Sequence, residues 1–137
     1  MIVADTGAVI ALIDADDQHH ETLRRAFEAE PGLWVLPWAV LPEVDYLVSS
    51  RLGAPVARVF RADLADGLFN VEWNRGSDLQ RAVELDEHYA DLSLGLVDAV
   101  VMAMAERLDA QAIATLDLRD FASVELAGRP ALWPRDL

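Results

Sequence analysis

Short apolar runs alternate along the chain with longer segments whose apolar residues recur at helical spacing. Met1 to Ala4, Leu33 to Leu36, Leu68 to Val71 and Ala112 to Thr115 are apolar enough on both faces to be strands of a covered sheet. Between them the spacing predicts helices over Thr6 to Ile13, His20 to Ala29, Val40 to Arg51, Val56 to Ala65, Ser77 to Tyr89 and Leu96 to Leu108. Val97, Val100, Val101, Met104 and Leu108 form the stripe of the last of these. Pro31-Gly32 and Gly53-Ala54-Pro55 are breaks. Val124 to Leu126 and Ala131 to Trp133 compete for a final edge strand, with Gly128 and Pro130 weakening the case. Strand-helix alternation implies a mainly parallel sheet of four to five strands with helices on both faces, because parallel neighbours are joined by right-handed helical crossovers. The expectation is a single α/β domain over residues 1–137.

Composition narrows the class. A 53% hydrophobic chain has the apolar surface to fold as a packed globule. It has no cysteine, which removes disulfide frameworks, thiolate nucleophiles and zinc-thiolate sites. No apolar run approaches the ~20 residues that cross a bilayer, and the start lacks a leader pattern, so the expected location is the cytoplasm with no membrane partner. The net charge of −13 is the wrong sign for gripping nucleic acid by counterion release. It is explained either by a solvated surface or by carboxylates that exist to hold cations. All basic residues are arginine. The absence of lysine counts against phosphate-accepting receiver and dehalogenase-like sites; the latter would also want an acid where Gly7 stands. No Walker loop, dinucleotide fingerprint or nucleophile elbow occurs.

The predicted topology gives the acids a common address. Asp5 and Asp117 directly follow strands, so both stand at the sheet's carboxyl edge, where ligands collect in doubly wound folds. Glu43 and Asp98 lie in the first turns of helices that begin at that edge. Four carboxylates sharing one pocket repel one another unless a cation sits among them, and hard oxygen ligands favour Mg²⁺ or Mn²⁺. Such a site offsets the charge that builds on an attacked phosphodiester. One ion or two would fit. Thr6 and Thr115 are placed to orient a water or a carboxylate, although Thr115 is equally explained as a β-branched strand residue.

The stretches Ile2-Val3-Ala4-Asp5-Thr6, Leu41-Pro42-Glu43-Val44, Leu96-Val97-Asp98-Ala99 and Ile113-Ala114-Thr115-Leu116-Asp117 together resemble the acidic motifs of PIN-domain endoribonucleases of the VapC toxin type. Each motif alone is weak; the four in this order, in a chain of this length, are specific. The resemblance implies a PIN-like three-layer α/β/α sandwich. It maps the family's metal-binding, catalytic acids onto Asp5, Glu43, Asp98 and Asp117, with Asp91 or Asp120 near the site. It also implies a homodimer, a VapB-type antitoxin as partner, and an RNA substrate that is either transfer RNA or ribosomal RNA. The alternative from a different class is a catalytically inactive partner-binding module of the same fold.

Other residues carry plainer expectations. His19, His20 and His88 are surface residues, and Asp14, Asp16 and Asp17 a solvated turn. Trp34 belongs in the core, while Trp38 is divided between core and interface. Arg24, Arg25, Arg51, Arg58, Arg61 and Arg119 are candidates for phosphate contact at the rim, against ordinary solubilising charge.

Overall fold

The computed structural model describes residues 1–137. Five strands, β1 (Ile2–Ala4), β2 (Trp34–Pro37), β3 (Asn70–Glu72), β4 (Ala112–Ala114) and β5 (Ala131–Trp133), form one sheet in the order β3-β2-β1-β4-β5. Every neighbouring pair is parallel. The helices are α1 (Thr6–Ile13), α2 (His20–Ala29), α3 (Leu41–Leu52), α4 (Ala54–Ala65), α5 (Gly76–His88), α6 (Leu96–Arg107) and the short α7 (Leu118–Phe121).

All residues of β1, β2 and β4 are buried, as strands covered on both faces must be. From β1 the chain steps outward to β2 and β3, with α1 packed on α2 and α3, and α3 packed on α4. It then returns across the sheet to β4, and the packed pair α5 and α6 fills that connection. Right-handed crossovers in opposite directions put the two helix groups on opposite faces, which produces the three layers. The direction in which successive strands are added reverses between β1 and β4, although the strands stay parallel. That reversal leaves a crevice at the carboxyl ends of these two central strands.

The core is continuous through the sheet. Trp34 is 1% exposed and meets Phe27 edge-on at 5.6 Å, and Phe69 bridges Phe27 and Phe60. Trp38, in a 3-10 turn at Trp38–Val40, packs with Ala39 against Ala82, Ala99, Val100, Ala103 and Met104 of α5 and α6. It is therefore a half-buried core residue of that layer. No helix is long and apolar enough to cross a membrane.

Three expectations change. The edge strand is Ala131–Trp133; Val124 to Leu126 is irregular, although Val124 and Leu126 are buried. The third strand starts at Asn70, because Leu68 is 53% exposed and ends the preceding turn, leaving Phe69 to supply the apolar contact. His20 opens α2 and bonds the Ala11 carbonyl at 2.7 Å through Nδ1, tying α2 to α1, so it and His19 are half-buried.

Candidate metal centre

The crevice between β1 and β4 is lined by carboxylates from four connections. Asp5 leaves the end of β1, held by its backbone N–H donating to the Ala114 carbonyl at 2.8 Å. Its side chain is 5% exposed and accepts the Thr115 hydroxyl at 2.9 Å. Thr115 is fully buried, and its Oγ1 also accepts the Asp117 N–H at 3.1 Å. One hydroxyl therefore orients both acids that follow the central strands. Thr115 acts through its oxygen as well as its β-branching.

Asp117 is exposed, and its carboxylate accepts the Asp120 N–H at 3.3 Å, capping α7. Glu43 stands exposed in the first turn of α3, which Pro42 opens without the loss of a backbone bond. Asp98 stands half-buried in the first turn of α6. The chain enters that helix through Ser93 at φ 51° and Gly95 at φ 79°, positive-φ conformations that turn the backbone sharply before α6.

The electrostatics show which acids share space. Burial, then the charges of Asp5, Asp117, Asp120 and Glu43, push the Asp98 carboxyl up to about 7. Burial is also the largest influence on Asp5, raised to about 6 by it and by Glu43 and Asp117 against the opposing hydrogen bonds of Thr6 N–H and Thr115. The crevice thus gathers Asp5, Glu43, Asp98 and Asp117, and adds Asp120. Asp91 is exposed in a 3-10 turn and is not among the charges that raise Asp5 or Asp98.

Asp120 was the less legible member. It lies within the single turn of α7, too short to show periodicity, and the resemblance offered it only as an alternative to Asp91. Carboxylate oxygens of Asp98, Asp117 and Asp120 lie within 4.8 Å of one another. Asp120 Oδ1 is buried without a hydrogen-bond partner; Arg119 Nε is 4.0 Å away, beyond bonding range. Thr6 Oγ1 is also buried and unpartnered. An anionic oxygen left bare among like charges is costly unless something positive takes its lone pairs. An all-oxygen donor set of this kind fits a hard divalent cation.

The arginines are mostly committed elsewhere. Arg24 pairs with Glu21 and Glu28, Arg25 with Glu21, and Arg61 with Asp45, so each of these three already has a carboxylate on part of its guanidinium. Arg107 joins Asp78 at 2.7 Å and Glu72 at 3.0 Å in a largely enclosed network. The Arg51, Arg58 and Arg75 side chains pair with no carboxylate.

Comparison with known proteins places the fold. A family model described as PIN domain matches residues 2–126. Ribonuclease VapC26 of Mycobacterium tuberculosis is 27% identical over 127 residues, covering 93% of this chain and 94% of that protein. The crystal structure of Mycobacterium tuberculosis VapC20, described as a Sarcin-Ricin loop cleaving toxin, superposes with a TM-score of 0.80 at 25% identity, over 95% of this chain and all of the other. A DNA-bound VapBC from Salmonella typhimurium shares the fold with a TM-score of 0.73 at 16% identity, over 96% of this chain and 95% of that one. The chain belongs to the PIN domain family, and its relatives include VapC ribonucleases.

Proposed function

We propose that the protein is a metal-dependent endoribonuclease, the toxin of a toxin-antitoxin pair, acting as a single domain over residues 1–137 with Mg²⁺ or Mn²⁺ in the crevice. The observation that carries this reading is the gathering of Asp5, Glu43, Asp98, Asp117 and Asp120 at the topological switch, where no arginine hydrogen-bonds any of the carboxylates and Arg119 Nε comes no nearer to Asp120 than 4.0 Å. Asp5, Glu43, Asp98 and Asp117 would hold the ion, joined by Asp120, whose carboxylate lies within 4.8 Å of those of Asp98 and Asp117. When bound, the ion supplies charge compensation for the attacked phosphodiester and lowers the pKa of an attacking water. Thr115 keeps Asp5 and the 117 backbone fixed, so that the pocket keeps its shape as charge moves. The substrate is structured RNA; a relative described as cutting the sarcin-ricin loop supports ribosomal RNA over transfer RNA.

An antitoxin of the VapB type is the natural partner, supported by the VapBC complex that shares the fold. A homodimer and a cytoplasmic location complete the reading. Incubation of the purified protein with total cellular RNA under Mg²⁺, Mn²⁺ or EDTA tests it, with fragment ends mapped by primer extension. Discrete cuts in ribosomal RNA that need metal are expected. A folded protein that cuts no RNA under any of these conditions would make it a partner-binding module instead.

A further inference from the structure

A cavity of about 320 Å³ lies next to the acids, none of which lines it; it is walled by Thr115, whose hydroxyl bonds Asp5, and by Leu116 and Leu118, which flank Asp117. Its remaining walls are His19, Thr22, Pro134 and Arg135. The sheet register explains why it lies there. Ala114 is paired with Trp133, and Thr115 N–H donates to the Trp133 carbonyl at 2.9 Å, so the chain leaves β4 and β5 side by side. Pro134 and Arg135 therefore emerge at the same edge as Thr115 to Asp117, about one strand spacing (~5 Å) away.

Arg135 is held in place without being used up. Its Nε and Nη2 donate to Asp136 at 2.7 and 2.9 Å, and Asp136 in turn accepts the Leu132 N–H at 2.7 Å. Nη1 and the guanidinium face are left for another group. The His19 ring has no protein hydrogen bond, and Thr22 is exposed. Leu118 and Pro134 give the cavity apolar walls. An apolar slot with one oriented guanidinium and a few neutral polar groups suits a nucleotide, whose base or sugar needs a dry surface and whose phosphate needs a planar donor. In a chain of net charge −13 it is a place beside the acids where a cationic group faces a cavity.

We propose that this cavity seats the RNA nucleotide adjoining the scissile phosphodiester, with Arg135 contacting its phosphate and His19 and Thr22 its base or sugar. The proposal rests on the ribonuclease reading for its substrate class. It is tested apart from cleavage: metal-free protein in EDTA is titrated with each of the four ribonucleoside 5′- and 3′-monophosphates and observed by NMR.

Saturable shifts at the His19 ring and the Thr22 and Thr115 methyls are expected for at least one nucleotide. Affinity should fall about tenfold or more in Arg135→Gln, as for loss of a charge-assisted hydrogen bond, and also fall in His19→Ala. Arg129→Gln, whose guanidinium pairs with Glu125, serves as the control and should bind unchanged. Asp98→Asn should bind nucleotide as the parent does while losing cleavage, which separates this subsite from the metal centre. No saturable shift at His19, or equal affinity in Arg135→Gln and the parent, overturns the proposal while leaving the ribonuclease reading intact.

Discussion

The Thr115 hydroxyl donates to Asp5 Oδ2 at 2.9 Å, joining residues 110 positions apart in sequence. The bond spans the reversal point of the sheet, and the same oxygen accepts the Asp117 N–H. Removing it disconnects the two acids that the central strands deliver.

Thr115→Val keeps the shape and deletes that oxygen. Cleavage should fall about 10- to 100-fold, the usual effect of losing a group that orients a ligand to a metal. Stability should fall by roughly 1–3 kcal/mol, since buried Asp5 loses a partner. Steady-state kinetics and urea denaturation read the two separately; unchanged kinetics would mean that Thr115 serves only the strand.

Asp120→Asn should weaken Mn²⁺ binding and reduce cleavage while leaving the fold intact, because the unpartnered Oδ1 is the atom offered to the ion. Calorimetric titration with Mn²⁺ checks this. An Asp91→Asn control should behave as the parent, since Asp91 is not among the charges that raise Asp5 or Asp98.

Asp5 and Asp98 have folded pKa values of about 6 and about 7, above the ordinary 3.8. Between these limits the folded protein binds more protons than the unfolded chain. Their contribution to stability is therefore full below about pH 4 and is lost as pH rises through 6 and 7. Metal-free protein should melt at a higher temperature at pH 5 than at pH 8. Added Mg²⁺ should raise the melting temperature more at pH 8, because the ion competes with those protons. Differential scanning fluorimetry with EDTA or Mg²⁺ across this range decides it; a metal-free melting temperature that rises with pH between 5 and 8 would contradict it.

Arg107→Met leaves the Asp78 carboxylate, 2% exposed, without its cation. Burial pushes Asp78 up, but the bonds from Arg107 and the Arg75 N–H outweigh it and hold the carboxyl below its ordinary range. Loss of roughly 3–5 kcal/mol is expected, as for breaking an enclosed pair from one side. Denaturant unfolding measures it, and a double-mutant cycle with Asp78→Asn should show strong coupling.

Much of this was legible in the residues because chain order and sheet order are linked by crossover handedness. Apolar runs ending at Asp5 and Asp117 located the two central strands, and the periodicity of Leu96 to Leu108 placed Asp98 at the start of its helix. The competition between Val124 to Leu126 and Ala131 to Trp133 was not decidable from pattern, since both are short and apolar; the structure pairs the second with Ala112 to Ala114. The choice between Asp91 and Asp120 was open because each lies in a single helical turn, which has no period to detect. The arginine pairs, such as Arg61 with Asp45 and Arg107 with Asp78, depend on side chains meeting across the fold and leave no trace in spacing.

The most direct test of the central claim is calorimetric Mn²⁺ titration of the parent and Asp98→Asn, each then assayed on the same RNA. The account predicts that the parent binds the ion and cuts, while Asp98→Asn loses both and melts no lower than the metal-free parent, since its mutual repulsion with the other acids is gone. If folded Asp98→Asn binds Mn²⁺ and cuts as the parent does, the crevice acids are not the metal centre of the ribonuclease.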